Sequence, residues 1–242
     1  MNLSPEDEEI AAYWGHASTV RGRFTIRLRL AFKRFAWDFV VGGSAFLKRV
    51  LDIIAAAAAL LMLSPIFLVV ALLIKKEDGG KIFFGQPRVG YRGRLFRMWK
   101  FRSMVPNADA LKAQLLAANE MQGGVIFKMK NDPRVTRIGR FIRKYSIDEL
   151  PQFWNILRGE MSLVGPRPPV PKEVAEYDVE SRQRLMAKPG LICFWQVGGR
   201  SNIDFEGQVR LDLAYIRSES FWLDIFLLLK TVPAVLLGQG AY

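Results

Sequence analysis

The chain has 242 residues, half of them hydrophobic, with a formal net charge of +12 and a pI near 10. That length suits one large domain or two small ones, and the basic balance favours a polyanionic partner: nucleic acid, anionic lipid head groups or phosphorylated substrates. With Cys193 as the only cysteine and His16 as the only histidine, an internal disulfide, a His-dependent triad and a clustered His/Cys zinc site are all excluded, and a reducing compartment is expected.

Residues 1–19 start acidic, with Glu6, Asp7, Glu8 and Glu9, and lack the basic start, apolar centre and small-residue cleavage site of a signal peptide. A poorly ordered tail is expected there. Across 20–41, Arg21, Arg23, Arg27, Arg29, Lys33 and Arg34 interleave with Phe24, Ile26, Leu28, Leu30, Phe32, Phe35, Trp37 and Phe39. The alternation at 24–30 is closer to period two than to a helix. A basic, aromatic-rich stretch ahead of an apolar one reads as interfacial and drawn to anionic lipid. The plainer reading is a basic element packed on the core.

Residues 53–74 carry no charge. A straight helix of about 22 residues reaches about 33 Å, enough to cross a bilayer core of about 30 Å. Pro65, at the middle, removes a backbone donor and kinks or breaks the helix, and Ser64 can bond back to a carbonyl one turn earlier. Each arm is then only about 15–18 Å long. Both flanks are basic, Lys48 and Arg49 before and Lys75 and Lys76 after, so neither end is preferred for translocation. A helix that enters the bilayer, turns at Ser64-Pro65 and returns to the same face satisfies both observations. A kinked span and a buried core helix are the competing readings.

Residues 81–104 read as extended, punctuated by Gly85, Gly90 and Gly93. They predict a hairpin with a basic face, on which Lys100 and Arg102 share one side of a strand. A helix is expected at 108–121 and a loop at 122–131. Helical character follows at 135–144, with Val135, Ile138, Phe141 and Ile142 at compatible spacing and Arg143 on another face. A further helix carries the stripe Leu150, Phe153, Trp154 and Leu157. Ser146 with Glu149 matches a capping box, but a start at Ile147 or Asp148 suits Pro151 better. Either way Asp148 and Glu149 lie at a helix N-terminus, where free N–H groups and the dipole favour anions. The plain structural reading is a cap and first-turn decoration. After a short apolar run and the rigid GPRP turn holding Arg167, an amphipathic helix is expected at 173–187, a strand at 191–197, and a turn bearing Arg200. A helix at 205–217, capped by Asp204 or Asn202, precedes an apolar helix at 221–237, interrupted by Asp224, Lys230 and Pro233, that suits a membrane surface or core.

Two adjacent carboxylates among many cations suggest a shared anionic ligand or a metal–phosphate complex. A carboxylate can be the nucleophile of phosphoryl transfer, and its neighbour can hold Mg²⁺.

The segment RxxSIDELPQFWNILRGEMSLVGPRP resembles the signature of the bacterial sugar transferases, the monotopic phosphoglycosyl transferases, in their exopolysaccharide-initiating branch. KFRSM at 100–104, QVGGR at 196–200 and the Ser64-Pro65 helix fit the same family. The resemblance runs from Ala45 to the C-terminus and implies a compact catalytic core, without the multi-span region of longer members. It implies a mixed α/β, mainly helical fold: a polar tail and basic interfacial segment at 1–45, a re-entrant membrane helix at 46–78 broken at Ser64 and Pro65, and a cytosolic catalytic domain with interfacial helices at 79–242. It further implies transfer of a sugar 1-phosphate from a UDP-sugar to polyprenol (undecaprenyl) phosphate, with release of UMP. Asp148 would be the nucleophile, forming an aspartyl–phosphosugar intermediate, and Glu149 would help bind Mg²⁺. Lys100, Arg102, Arg143, Arg167 and Arg200 are the phosphate-contact candidates. The expected partners are the two substrates and the bilayer at the cytoplasmic face of the bacterial inner membrane, with no nucleic acid and homo-oligomerisation left open. The rival reading is a non-enzymatic basic membrane adaptor, steeply salt-dependent and indifferent to both acids. A two-carboxylate glycosidase fits poorly, because adjacent residues do not readily place carboxyls across a sugar ring.

Overall fold

A computed structural model describes residues 19–108, 110–111, 132–195 and 203–236. The expected tail, most of the helix at 108–121, the loop at 122–131 and the 196–200 turn with Arg200 lie outside the described residues. The chain divides into two units, Met1–Lys48 and Arg49–Tyr242.

The first helix, α1 (Val20–Met62), carries nearly all described residues of the first unit. The period-two expectation at 24–30 does not hold. Seven alternating residues fit either period, and the Arg and Leu side chains there are good helix formers. Phe24, Leu28 and Phe32 instead form an exposed stripe at i, i+4 and i+8.

Helix α1 ends at Met62, and α2 (Ser64–Asp78), with Leu63 as its N-cap, begins with Pro65 in its first turn. The stretch Gly43–Met62 meets α2 at a bend of 58°. The N–H that Pro65 lacks would have bonded the carbonyl of Leu61. The Ser64 hydroxyl donates to that carbonyl instead, at 2.8 Å, so the break leaves it satisfied. Among the described residues no single helix is long and apolar enough to cross a membrane, though the bent pair is by length and composition. Ala56, Val70 and Ile74 are buried, while Leu61, Met62, Leu68 and Leu72 stand exposed. A fully buried core helix is thereby excluded.

Strands β1 (Phe83–Val89) and β2 (Leu95–Phe101) form the expected antiparallel hairpin. Its turn uses positive φ at Arg92 and Gly93. Next come α3 (Arg137–Lys144), α4 (Gln152–Leu157) and β3 (Ser162–Val164). The single helix expected at 173–187 is broken into α5 (Pro171–Ala175), α6 (Val179–Arg182) and one 3-10 turn, Gln183–Met186. The break comes at Tyr177 and Asp178, where the Asp178 carboxylate accepts from Ser181 N and starts a new helix.

Strand β4 (Gly190–Ile192) pairs in parallel with β3. Their approach requires glycine: a Cβ at Gly190 would lie 2.1 Å from the Gly165 nitrogen. Helix α7 (Phe205–Ser218) is capped by Asp204, as expected. Helix α8 (Phe221–Leu236) turns Asp224 inward, where the Tyr215 hydroxyl donates to it at 2.6 Å, and leaves Trp222, Phe226 and Leu229 exposed. Among the described residues the result is mainly helical with two small two-stranded sheets. One core joins Ala56, Met98, Ile156, Met161, Leu163, Val164, Tyr215 and Leu227; a smaller one joins Val70, Ile74, Phe101 and Ile142.

Candidate active site

The two acids sit between α3 and α4. Thr136 caps α3 through Gly139 N at 2.9 Å. Gly139 lets that helix lie against the Ser103 carbonyl, 2.0 Å from where a Cβ would be. The chain then reverses through Ser146, in the left-handed region at φ 55° and without a side-chain cap. The capping box therefore does not form; the reversal needs a left-handed residue, which costs a non-glycine about 1–2 kcal/mol. One 3-10 turn, Ile147–Glu149, carries both acids, and α4 begins only after Pro151. The acids thus precede α4 rather than occupying its first turn, and burial together with the neighbouring charges sets their ionisation.

The two differ sharply. Asp148 is 8 % exposed. Burial pushes its carboxyl up to about 6; Lys100 and Arg143 oppose the rise and the Glu149 charge adds to it. The Glu149 side chain keeps about a third of its surface, at 32 %. Burial acts to raise its carboxyl too, but Lys100, then Arg167 and Arg88, outweigh that and hold it low. Lys100 Nζ donates to Glu149 Oε1 at 2.6 Å and lies 3.9 Å from Asp148 Oδ2.

Lys100 comes from β2. The pairs Phe84↔Lys100, Gln86↔Met98 and Arg88↔Phe96 put Arg88, Met98 and Lys100 on one face of the hairpin. Arg88 is buried; its Nη1 donates to the Pro168 carbonyl and its Nη2 to Gln86 Oε1, each at 2.7 Å. Its Nε is buried without a hydrogen-bond partner. Burial and the neighbouring Arg167 charge bring its guanidinium down to about 10. The Val89 amide donates to the Pro169 carbonyl at 2.9 Å, so β1 pins the GPRP turn that presents Arg167. The Arg167 guanidinium stands 5.9 Å from the Trp195 ring centre. Arg88, Lys100, Glu149, Gln152, Arg167 and Cys193 line a shallow polar cleft.

Asn155, fully buried, ties α4 to the hairpin. Its Oδ1 accepts from Trp99 N at 3.0 Å, and its Nδ2 donates to the Arg97 carbonyl at 2.8 Å and to Glu160. Deeper still, Arg184 Nη2 donates to Asp212 Oδ2 at 2.5 Å and its Nη1 to the Tyr177 hydroxyl at 2.8 Å. Burial pushes the Asp212 carboxyl up to about 6 against the opposing Arg184 charge.

Of the residues singled out in the sequence, Glu149, Lys100 and Arg167 share the cleft wall; Asp148 is not on that wall but lies 3.9 Å from Lys100, and Arg143 lies near enough to lower it. Arg102 does not share the cleft wall. It lies one residue beyond β2, where its guanidinium forms a bidentate ion pair with Asp78 and Nε donates to the Lys81 carbonyl at 2.6 Å. Ser64 and Pro65 sit at the helix break. Arg88, Gln152 and Asn155 were not foreseen. For Arg88 the signal was the hairpin register, which places it on the Lys100 face. Asn155 gave none, since an amide on a helix is ordinarily solvated.

Among the described residues no three His, Cys, Asp or Glu side chains gather into a metal cage. The hard oxygens of Asp148 and Glu149 do fit a Mg²⁺ ion that takes its other ligands from water and phosphate.

Residues 43–238 match the family model described as bacterial sugar transferase. The chain belongs to the bacterial sugar transferase family. It is 53 % identical over 165 residues to a galactosyl transferase, CpsE, of Streptococcus agalactiae, across 68 % of this chain and 36 % of the relative. It is 45 % identical over 202 residues to an undecaprenyl-phosphate galactose phosphotransferase of Salmonella typhimurium, across 82 % of this chain and 42 % of the relative. These two relatives are thus matched over about two fifths of their length. The exopolysaccharide production protein ExoY of Rhizobium meliloti is 42 % identical over 205 residues, 84 % of this chain and 90 % of the relative. In this bacterial sugar transferase the matched region takes in the helix break, the hairpin, both acids and α8.

Proposed function

We propose that this bacterial sugar transferase moves a sugar 1-phosphate from a UDP-sugar to polyprenol phosphate, of the undecaprenyl type, and releases UMP. The reaction would initiate exopolysaccharide or other glycoconjugate synthesis at the cytoplasmic face of the bacterial inner membrane. The observation that carries the reading is a cleft lined by Glu149, Lys100, Arg88 and Arg167, with the largely buried Asp148 carboxylate 3.9 Å from the same Lys100 ammonium.

The Asp148 carboxylate attacks the β-phosphorus of the UDP-sugar. The bond from that phosphorus to the bridging oxygen breaks, and UMP leaves with the electron pair. Polyprenol phosphate then attacks the same phosphorus, and the Asp148 carboxylate departs. A carboxyl held at about 6 is mostly ionised at neutral pH yet more basic than an ordinary carboxylate, which favours it as nucleophile. Arg167, with Arg88 beside it on the cleft wall, is suited to phosphate oxygens. Lys100 holds Glu149 until an anion or a cation competes for one of them. Mg²⁺, held by Glu149 beside Asp148, would neutralise the charge that builds on the phosphates.

The 58° bend and the basic residues on both flanks support a re-entrant, monotopic helix that brings the cleft to the lipid phosphate. An impermeant thiol reagent should then reach cysteines placed at Lys48 and at Lys76 from the cytoplasmic side alone; labelling of one of them from the other side would establish a span.

UDP-sugars labelled in the sugar, offered one by one without lipid, should leave label on the protein for the accepted sugar, and none on Asp148→Asn. Full turnover with lipid but no labelled protein without it would overturn the covalent route.

A further inference from the structure

On the reading just given, we infer that Glu77 and Arg49 are positioning residues, through which the two arms of the broken helix frame the nucleophile from both sides. The acids lie on the stretch α3–turn–α4, residues 137–157. Its first amides are held by α2: Glu77 Oε1 accepts from Arg137 N at 2.8 Å and from Ile138 N at 3.3 Å. Those are orphan donors of α3, satisfied from another element. The adjacent Asp78 holds Arg102, two residues beyond Lys100, so the end of α2 also steadies the exit of β2.

The last carbonyls of the same stretch are held by α1. Arg49 Nη1 donates to Ile156 O at 2.6 Å and Nη2 to Leu157 O at 2.8 Å. A cation at the helix C-terminus satisfies orphan acceptors and suits the dipole. One turn further along α1, buried Asp52 accepts from Ser162 Oγ at 3.0 Å and from Leu163 N at 2.9 Å, fixing β3 just past α4. Arg49 and Asp52 are three residues apart and share a helix face.

The two grips belong to arms that meet at a 58° bend, and along the chain they fall before and after Asp148. Basic flanks look like membrane-surface charges in the sequence; here Arg49, with the acidic Glu77 of the other arm, is spent on backbone groups at the two ends of the stretch that carries the nucleophile. Placement matters because a misplacement of about 1 Å in a reacting group costs on the order of 10²-fold in rate.

The test uses the full chain in lipid vesicles. Glu77→Ala removes an exposed side chain and leaves the cores intact. It is expected to lower kcat about tenfold with both KM values within about twofold, and to speed amide exchange at residues 147–150 about tenfold. Glu77→Gln keeps an acceptor oxygen and should recover most of both. Arg49→Lys, with one donor left, should fall between Arg49→Met and the parent. Wild-type exchange and wild-type kcat in Glu77→Ala would overturn the inference, as would faster exchange with kcat unchanged. An inactive parent protein would instead defeat the proposed function, and the exchange rates would still decide whether Glu77 frames the turn.

Discussion

Asp148→Asn should abolish turnover and at the same time stabilise the protein at alkaline pH. A carboxyl that ionises near 3.8 in the unfolded chain and at about 6 in the folded one carries about 3 kcal/mol of difference between its protonation states. Between those two pH values the unfolded chain has lost the proton and the folded chain still holds it. Folding stability therefore falls as pH rises through that window, and the deficit persists above pH 6. Asparagine has no proton to lose. The variant should match the parent below about pH 4 and exceed it by up to about 3 kcal/mol at pH 8, raising Tm by about 6–12 °C in a chain of this size. Lys100 retains Glu149 as its partner at 2.6 Å, so the substitution strands no cation. Thermal unfolding of both proteins from pH 4 to pH 8, beside the pH profile of kcat/KM, is the assay. The parent's kcat/KM should rise with pH through an apparent pKa near 6. Equal Tm values at pH 8, a less stable variant there, or a gap that does not change with pH would refute the claim that burial sets this carboxyl.

Arg184→Met should cost about 3–5 kcal/mol, since it leaves the Asp212 carboxylate, with 1 % of its side chain exposed, without its cation; urea unfolding measures the loss, and the Arg184→Met/Asp212→Leu double variant should recover much of it. Ser146→Gly should be neutral to stabilising by up to about 1 kcal/mol, because glycine occupies φ 55° freely, whereas Ser146→Val, β-branched at a left-handed position, should destabilise and lower kcat; Tm and turnover of the pair decide it.

Much of this protein is written in short-range chemistry. Pro65 ends a helix wherever it stands, because its nitrogen has no hydrogen to give, and Ser64 beside it supplies the missing donor. The glycines and alternation at 81–104 make a hairpin, and DELPQ with GPRP named the family from residues alone. Composition removed every mechanism that needs paired cysteines or clustered histidines.

What needed the tertiary structure was partnership and burial. Arg102 and Arg88 are both arginines of the same hairpin region, yet one is committed to Asp78 and the other is buried against the Pro168 carbonyl on the cleft wall. Asp148 and Glu149 are neighbours in sequence, but the fold buries the first and gives the second to Lys100, so their carboxyls move in opposite directions. Arg49 and Glu77 look like flank charges until distant backbone groups are brought against them. Local pattern fixes backbone geometry because sterics and missing donors act within a few bonds. Charge state and role depend on dielectric surroundings and on partners up to 111 residues away, and only the folded chain assembles those.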